Sequence, residues 1–211
     1  MTKYWQFYID RKIRLMPFQE RIKHHLSESI QALITTADSL TNSINQAGQI
    51  LVDAILNGNK VLVCGNGSSK ADCDRLVTYL VNYFEIERPS FPAILLNSDT
   101  ANINQTGSST NISEIFSKQV NTLGQTGDIL ITFSTNENSE NILHAIQAAH
   151  DKAMPVIALT NQNSINVTNT LYSTDTELCA PSTSKAQTHA CHTVIINCLC
   201  DIIDQSLFGG Y

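Results

Sequence analysis

The chain has 211 residues, 42% of them hydrophobic and 15% charged. That balance supports one folded domain with a sizeable core and excludes an intrinsically disordered chain. Thirteen Lys and Arg stand against 19 Asp and Glu, for a formal net charge of -6, which argues against direct binding to a nucleic-acid backbone.

Residues 1–17 carry scattered charges and no clean apolar stretch. They make a poor secretory signal and read as an extension, expected to be poorly ordered, with Met16 the better functional start. No later apolar run approaches the roughly 20 residues that span a bilayer, so no membrane partner is expected. From Phe18 to Asn57 there is one Gly and no Pro. Ile22, Leu26, Ile30, Leu33 and Ile34 recur at helical spacing, and Leu40, Ile44, Ala47, Ile50, Leu51, Ala54 and Ile55 follow as a second set. Two helices are therefore expected, with Asn42 or Ser43 capping the second. Leu56 to Lys60 reads as a helix stop and a turn.

The period then changes. Val61-Leu62-Val63-Cys64 is a short apolar run suited to a strand buried on both faces. Gly65-Asn66-Gly67-Ser68-Ser69 follows at once, and a helix is expected over Ala71 to Glu85. Further strands are expected at Ala93–Leu96, Ile129–Phe133 and Val156–Leu159, with a short fifth at Thr176–Cys179. Helices are expected over Ile112–Leu123, Asn141–His150 and Ser184–Leu207. This alternation predicts an α/β fold with a parallel sheet covered by helices on both faces, and ligands at the carboxyl ends of the strands.

Two polar loops lie at such ends. In the first, glycines let an anion approach the backbone, a helix N-terminus supplies N–H groups, and Ser68 and Ser69 add hydroxyls. It lacks the Gly-Lys-Ser/Thr of a P-loop, and Lys70 stands where a dinucleotide loop has its third Gly. The second, Ser134-Thr135-Asn136-Glu137-Asn138-Ser139, offers Ser134, Thr135 and Ser139, with Asn138-Ser139 also suited to cap the next helix. A tight capped turn explains either loop alone. Two together are better explained by convergence on one phosphate, held by neutral hydroxyl and amide dipoles.

Asp99, just after the second strand, suits a sugar hydroxyl or a turn. His189 and His192 lie three apart on one helix face, which suits a metal, an acid–base pair or a structural role; no third ligand is evident nearby in the sequence. Asp74 and Arg75 read as a solvated or salt-bridged face. Six cysteines without a Cys-x-x-Cys pair read as reduced, mostly buried thiols of a cytoplasmic protein.

These loops, together with RPSFPAILLNSD (Arg88 to Asp99) and TGDILITFST (Thr126 to Thr135), resemble phosphoheptose isomerases of the sugar isomerase (SIS) class over Phe18 to Phe208. FQERI (Phe18 to Ile22), ILNGNKVLVCGNG (Ile55 to Gly67), FEIERPSFPAI (Phe84 to Ile94) and NCLCDIIDQSLF (Asn197 to Phe208) resemble the DnaA initiator-associating type within that class. The resemblance implies a three-layer α-β-α sandwich with a five-stranded parallel, flavodoxin-like sheet preceded by N-terminal helices. It implies a single domain over 18–211, assembled as a homotetramer with those helices in the interface. It places phosphate binding on Ser69, Ser134, Thr135 and Ser139, and sugar contacts on Asn66 and Asp99.

At the catalytic positions the chain departs from the isomerases. Their helical His is Arg75 here, their Glu is Tyr79, their Gln is His189 and their second His is Asn197. Isomerisation moves a proton between adjacent carbons. An unperturbed Tyr titrates near 10, and Asn does not titrate. His189 is the proton carrier that remains. In zinc-binding isomerases these four positions hold the metal, so no cofactor is expected here. Glu137 replaces a Gly of the family's phosphate loop and would repel an anion unless turned away. The departures favour a regulator that binds a sugar phosphate, with replication initiator DnaA as partner and Leu207-Phe208 as its contact. A working sedoheptulose 7-phosphate isomerase and a sugar-phosphate sensor are the alternatives.

Overall fold

Pro17 to Leu56 shows how local chemistry overrode a sequence expectation. Phe18–Leu56 is one continuous helix, α1, not two. Thr35, Thr36, Ser39 and Thr41 donate their hydroxyls to carbonyls four residues back, at 2.9, 2.8, 2.7 and 2.6 Å. Polar side chains that could have capped a break are thus satisfied within the helix, and Asn42 and Ser43 sit mid-helix rather than at a cap. The structure is a computed structural model that describes residues 17–96, 112–136 and 139–209. Asp99, Glu137, Asn138 and residues 1–16 lie outside the described residues.

Beyond α1 the chain alternates as expected: β1 (Val61–Gly65), α2 (Ser69–Val81), β2 (Ala93–Leu95), a 3-10 turn (Ile112–Glu114) running into α3 (Ile115–Leu123), and β3 (Ile129–Phe133). Then come α4 (Glu140–His150), β4 (Val156–Asn161), α5 (Ile165–Thr168), β5 (Thr176–Ala180) and α6 (Lys185–Phe208). The one-turn α5 was not foreseen; four residues are too few to show a period. The helix expected over Ala71–Glu85 starts and ends earlier. Ser69 already donates its N–H to the Asn66 carbonyl, and Asn82 turns the far end, its N–H and side-chain amide both reaching the Thr78 carbonyl.

All five strands are parallel, in the order β2-β1-β3-β4-β5. Val61 and Val63 pack to one side with the second half of α1, α2 and α6. Leu62 and Cys64 pack to the other with α3 and α4. A strand buried on both faces needs an unbroken apolar run, which is why these segments show no polar alternation. The first half of α1 leaves Phe18, Ile22, Leu26, Ile30 and Ile34 exposed in a stripe of four-residue steps. Among the described residues no helix is long and apolar enough to cross a membrane.

A buried ion pair ties α2 to α6. Arg88 donates Nε–H to Asp204 Oδ1 at 2.6 Å. Its other nitrogens donate to the carbonyls of Tyr79 and Leu80, at 2.8 and 3.1 Å, and its guanidinium lies 4.1 Å over the Phe91 ring. Both charged side chains are almost fully buried. Removing one partner strands the other charge in a low-dielectric core. Arg88→Ala should therefore cost about 3–5 kcal/mol in urea unfolding; a loss below about 1 kcal/mol would mean that water reaches Asp204.

Candidate functional site

Pairing of β1 with β3 runs in register from Val61↔Ile129 to Gly65↔Phe133. The two polar loops therefore leave the sheet side by side. From there β1 feeds α2 on one face and β3 feeds α4 on the other, which opens a crevice between them.

Gly65 is required where the first loop begins. A Cβ there would lie 2.8 Å from Cys73 Sγ, 3.1 Å from Phe133 Cβ and 3.2 Å from Ser69 Cβ. Gly67 takes a φ of +54°, which suits glycine. The backbone then turns so tightly that Ser69 opens α2 with its side chain buried. Asn66, for which the resemblance implies a sugar contact, is engaged within the protein. Its amide forms a reciprocal pair with Asn141 at the start of α4, with both N–H···O distances 2.8 Å. Asn141 also accepts the Ile142 N–H at 3.0 Å. This amide pair locks the two loops together. Sequence reading missed Asn141, whose only signal is its place in the first turn of the helix after a candidate loop.

On the other side Ser134, Thr135 and Ser139 are all buried. Ser134 Oγ–H donates to the Asn136 carbonyl at 3.3 Å and lies 3.5 Å from Ser139 Oγ. Ser139 occupies the N-cap of α4, yet its side chain makes no capping bond. The capping role therefore does not account for this hydroxyl. From below, Ser164 Oγ lies 3.1 Å from the Ser134 carbonyl and 3.0 Å from Asn161 Oδ1, which share its single hydroxyl proton. Asn161 reaches Thr188 on α6 at 3.3 Å. The loop rests on a buried polar network at the end of β4.

His189 faces the first loop. Because a carboxylate only accepts, the Nδ1–H of His189 donates to Asp72 Oδ2, at 2.5 Å. Its Nε2 then accepts the Ser68 hydroxyl at 2.9 Å. Asp72 is buried and His189 half-buried. Sequence reading gave Ser68 only the part of a loop hydroxyl and gave Asp72 no role, although Asp72 sits one helical turn beyond Ser68. His192 is fully buried, its Nε2–H donating to the Thr160 carbonyl at 3.0 Å. Burial pushes its pKa down to about 4, so it stays neutral at neutral pH.

The positions to which the resemblance assigns the isomerases' other catalytic residues are 75, 79 and 197. Arg75 donates to Thr193 Oγ1 at 3.2 Å. Tyr79 packs edge-on against Phe84, ring centroids 5.0 Å apart. Asn197 Oδ1 is buried and lacks a partner among the described residues. A guanidinium cannot ligate zinc, so residues 75, 79, 189 and 197 do not fit a zinc ion. Burial raises the thiol pKa of Cys64 and Cys73 and takes Cys200 to about 12, which leaves these thiols protonated and inert. At the far end of α6, Leu207 packs against the core. Phe208 is half-exposed and stacks on Phe91 at 6.3 Å.

Residues 25–161 match the SIS domain family. The chain is 43% identical over 195 residues to a phosphoheptose isomerase of Chromohalobacter salexigens, covering 92% of this chain and 99% of that one. It superposes on the structure of a phosphoheptose isomerase from Francisella tularensis with a TM-score of 0.84 and 45% identity, covering 90% of this chain and 100% of that chain. For the phosphoheptose isomerase of Neisseria gonorrhoeae the TM-score is 0.82 at 34% identity, covering 89% and 99%.

The crowding at Gly65 gives a direct check on the loop. Gly65→Ala should destabilise the fold by about 1–3 kcal/mol, by driving a methyl into Cys73 and Ser69. A melting temperature equal to that of the parent chain would show that the loop has room to spare.

Proposed function

This chain belongs to the SIS domain family, in its phosphoheptose isomerase group, and from that premise we propose that it binds a monophosphorylated sugar without isomerising it. The observation that carries the reading is the Asn66–Asn141 amide pair. It draws together two loops that carry the buried side chains Ser69, Ser134, Thr135 and Ser139. A phosphate dianion between them meets hydroxyls, backbone N–H groups and two helix N-termini. Asp99 keeps in this reading the sugar contact that the resemblance implies for it. Isomerisation is disfavoured because Arg75, Tyr79 and Asn197 supply no base–acid pair.

The protein acts in this reading as a cytoplasmic homotetramer of the initiator-associating type, with DnaA as its macromolecular partner. The exposed stripe from Phe18 to Ile34 supports self-assembly, since apolar side chains at four-residue steps form a continuous face that water solvates poorly. For the partner contact Phe208 is the better candidate of the pair, because Leu207 is committed to the core.

One observation favours a second reading, a working isomerase. The Ser68–His189–Asp72 chain offers a proton route in which the carboxylate orients the imidazole. His189 would carry the proton in place of the missing pair.

Calorimetric titration with sedoheptulose 7-phosphate, run beside an assay for heptose 7-phosphate formation, separates the two. Binding without turnover is expected, with Ser134→Ala weakening affinity about 10-fold through a lost charge-assisted hydrogen bond. Turnover abolished by His189→Ala would establish the isomerase instead, and no heat in folded protein would remove the sugar phosphate from either reading. Immobilised protein should also retain DnaA at low salt. Phe208→Ala should reduce that capture while sedimentation shows the tetramer intact; no capture by the parent tetramer would exclude the initiator as a direct partner.

A further inference from the structure

We propose that Asp72, His189 and His192 form a binding site for one divalent transition-metal ion of the zinc class. One ligand atom from each of these residues lies within 4.8 Å of the other two. The set shares only His189 with the positions that hold zinc in metal-binding isomerases. It supplies two imidazoles and a carboxylate, a donor set that suits zinc and leaves a fourth position for water or a sugar oxygen.

The hydrogen-bond pattern around the cluster is the one a metal requires. His192 donates Nε2–H to the Thr160 carbonyl, which fixes the tautomer and leaves a lone pair on Nδ1. That Nδ1 is buried without a hydrogen-bond partner among the described residues. An unsatisfied buried acceptor costs about 1–3 kcal/mol, so its retention calls for something that uses it. His189 turns Nδ1 toward Asp72 and has Ser68 Oγ at 2.9 Å from Nε2. If a metal replaces the proton on Nδ1, the proton moves to Nε2 and is donated to Ser68. Both histidines would then be held by an outer partner, a backbone carbonyl for one and a hydroxyl for the other, as metal-ligating histidines generally are.

Small movements suffice to close the site. Tetrahedral zinc sets its donors about 3.3 Å apart. Asp72 and His189, at 2.5 Å, must open slightly, and His192 must draw in from no more than 4.8 Å. Metal binding and the Ser68–His189–Asp72 proton route exclude each other, because both use His189 Nδ1. The site stands independently of which sugar phosphate binds, and of whether any does.

The test is cobalt titration of the full-length protein after chelation, followed by visible absorption, with zinc then added as competitor. One equivalent of cobalt per chain should produce the intense bands of a four-coordinate site, and zinc should bleach them. His189→Ala and Asp72→Ala should abolish the bands while the circular dichroism stays helical. Ser68→Ala should weaken binding about 10-fold as the loss of an outer partner, and Tyr79→Phe should leave it unchanged. Absence of bands in the folded parent protein, or bands of equal strength in His189→Ala and Asp72→Ala, would overturn the assignment.

Discussion

Parallel pairing of β1 with β3 is the constraint on which the site depends. The register carries Gly65 opposite Phe133, and both strands end there. Two strands adjacent in the sheet but distant in sequence release their chains to opposite faces. The crevice follows from this reversal, and the reversal follows from the short right-handed connections that parallel strands demand. Gly65 adds a steric condition, since any side chain there would push Cys73 and Ser69 away from the tip.

In the proposed reading the anion meets neutral groups rather than a cation. Hydroxyls of Ser134 and Ser139 lie within reach of each other, and helix starts flank them. Buried dipoles of this kind are strong and need no counter-charge of their own. A buried Lys would have carried a desolvation cost of several kcal/mol in the unliganded protein. The network of Ser164, Asn161 and Thr188 beneath the second loop keeps its backbone fixed from the core side. In the proposed reading, specificity for the sugar lies with groups outside the loops that hold the phosphate.

Helix α6 joins stability and chemistry. Its far end holds Asp204 against Arg88, which clamps the close of α2. Its near end brings His189 and His192 to Asp72, on that same α2. The clamp thus sets the distance between the two helices whose side chains make the polar cluster. Family membership and the departures at positions 75, 79 and 197 are compatible for the same reason. The fold keeps the two helices apposed, while the residues between them are free to change from an acid–base pair to other uses.

Much of the fold was legible in the sequence because it rests on local signals. Apolar runs of four to five residues marked the buried strands, and Gly, Asn and Ser marked the turns at their ends; each element forms close to where those signals stand. The continuity of α1 was not legible, because Thr and Ser favour caps or helix interiors according to which carbonyl their hydroxyl finds. Nor were the Asn66–Asn141 pair, the Asp72–His189–Ser68 chain or the orphaned nitrogen of His192. These join residues 75 to 121 positions apart, and no local pattern encodes that distance. Residue types alone determined that this chain would build a parallel sheet with polar loops at its strand tips. Only tertiary packing decided which polar groups face one another there, because a hydrogen bond depends on ångström separations that strand order and helix docking set.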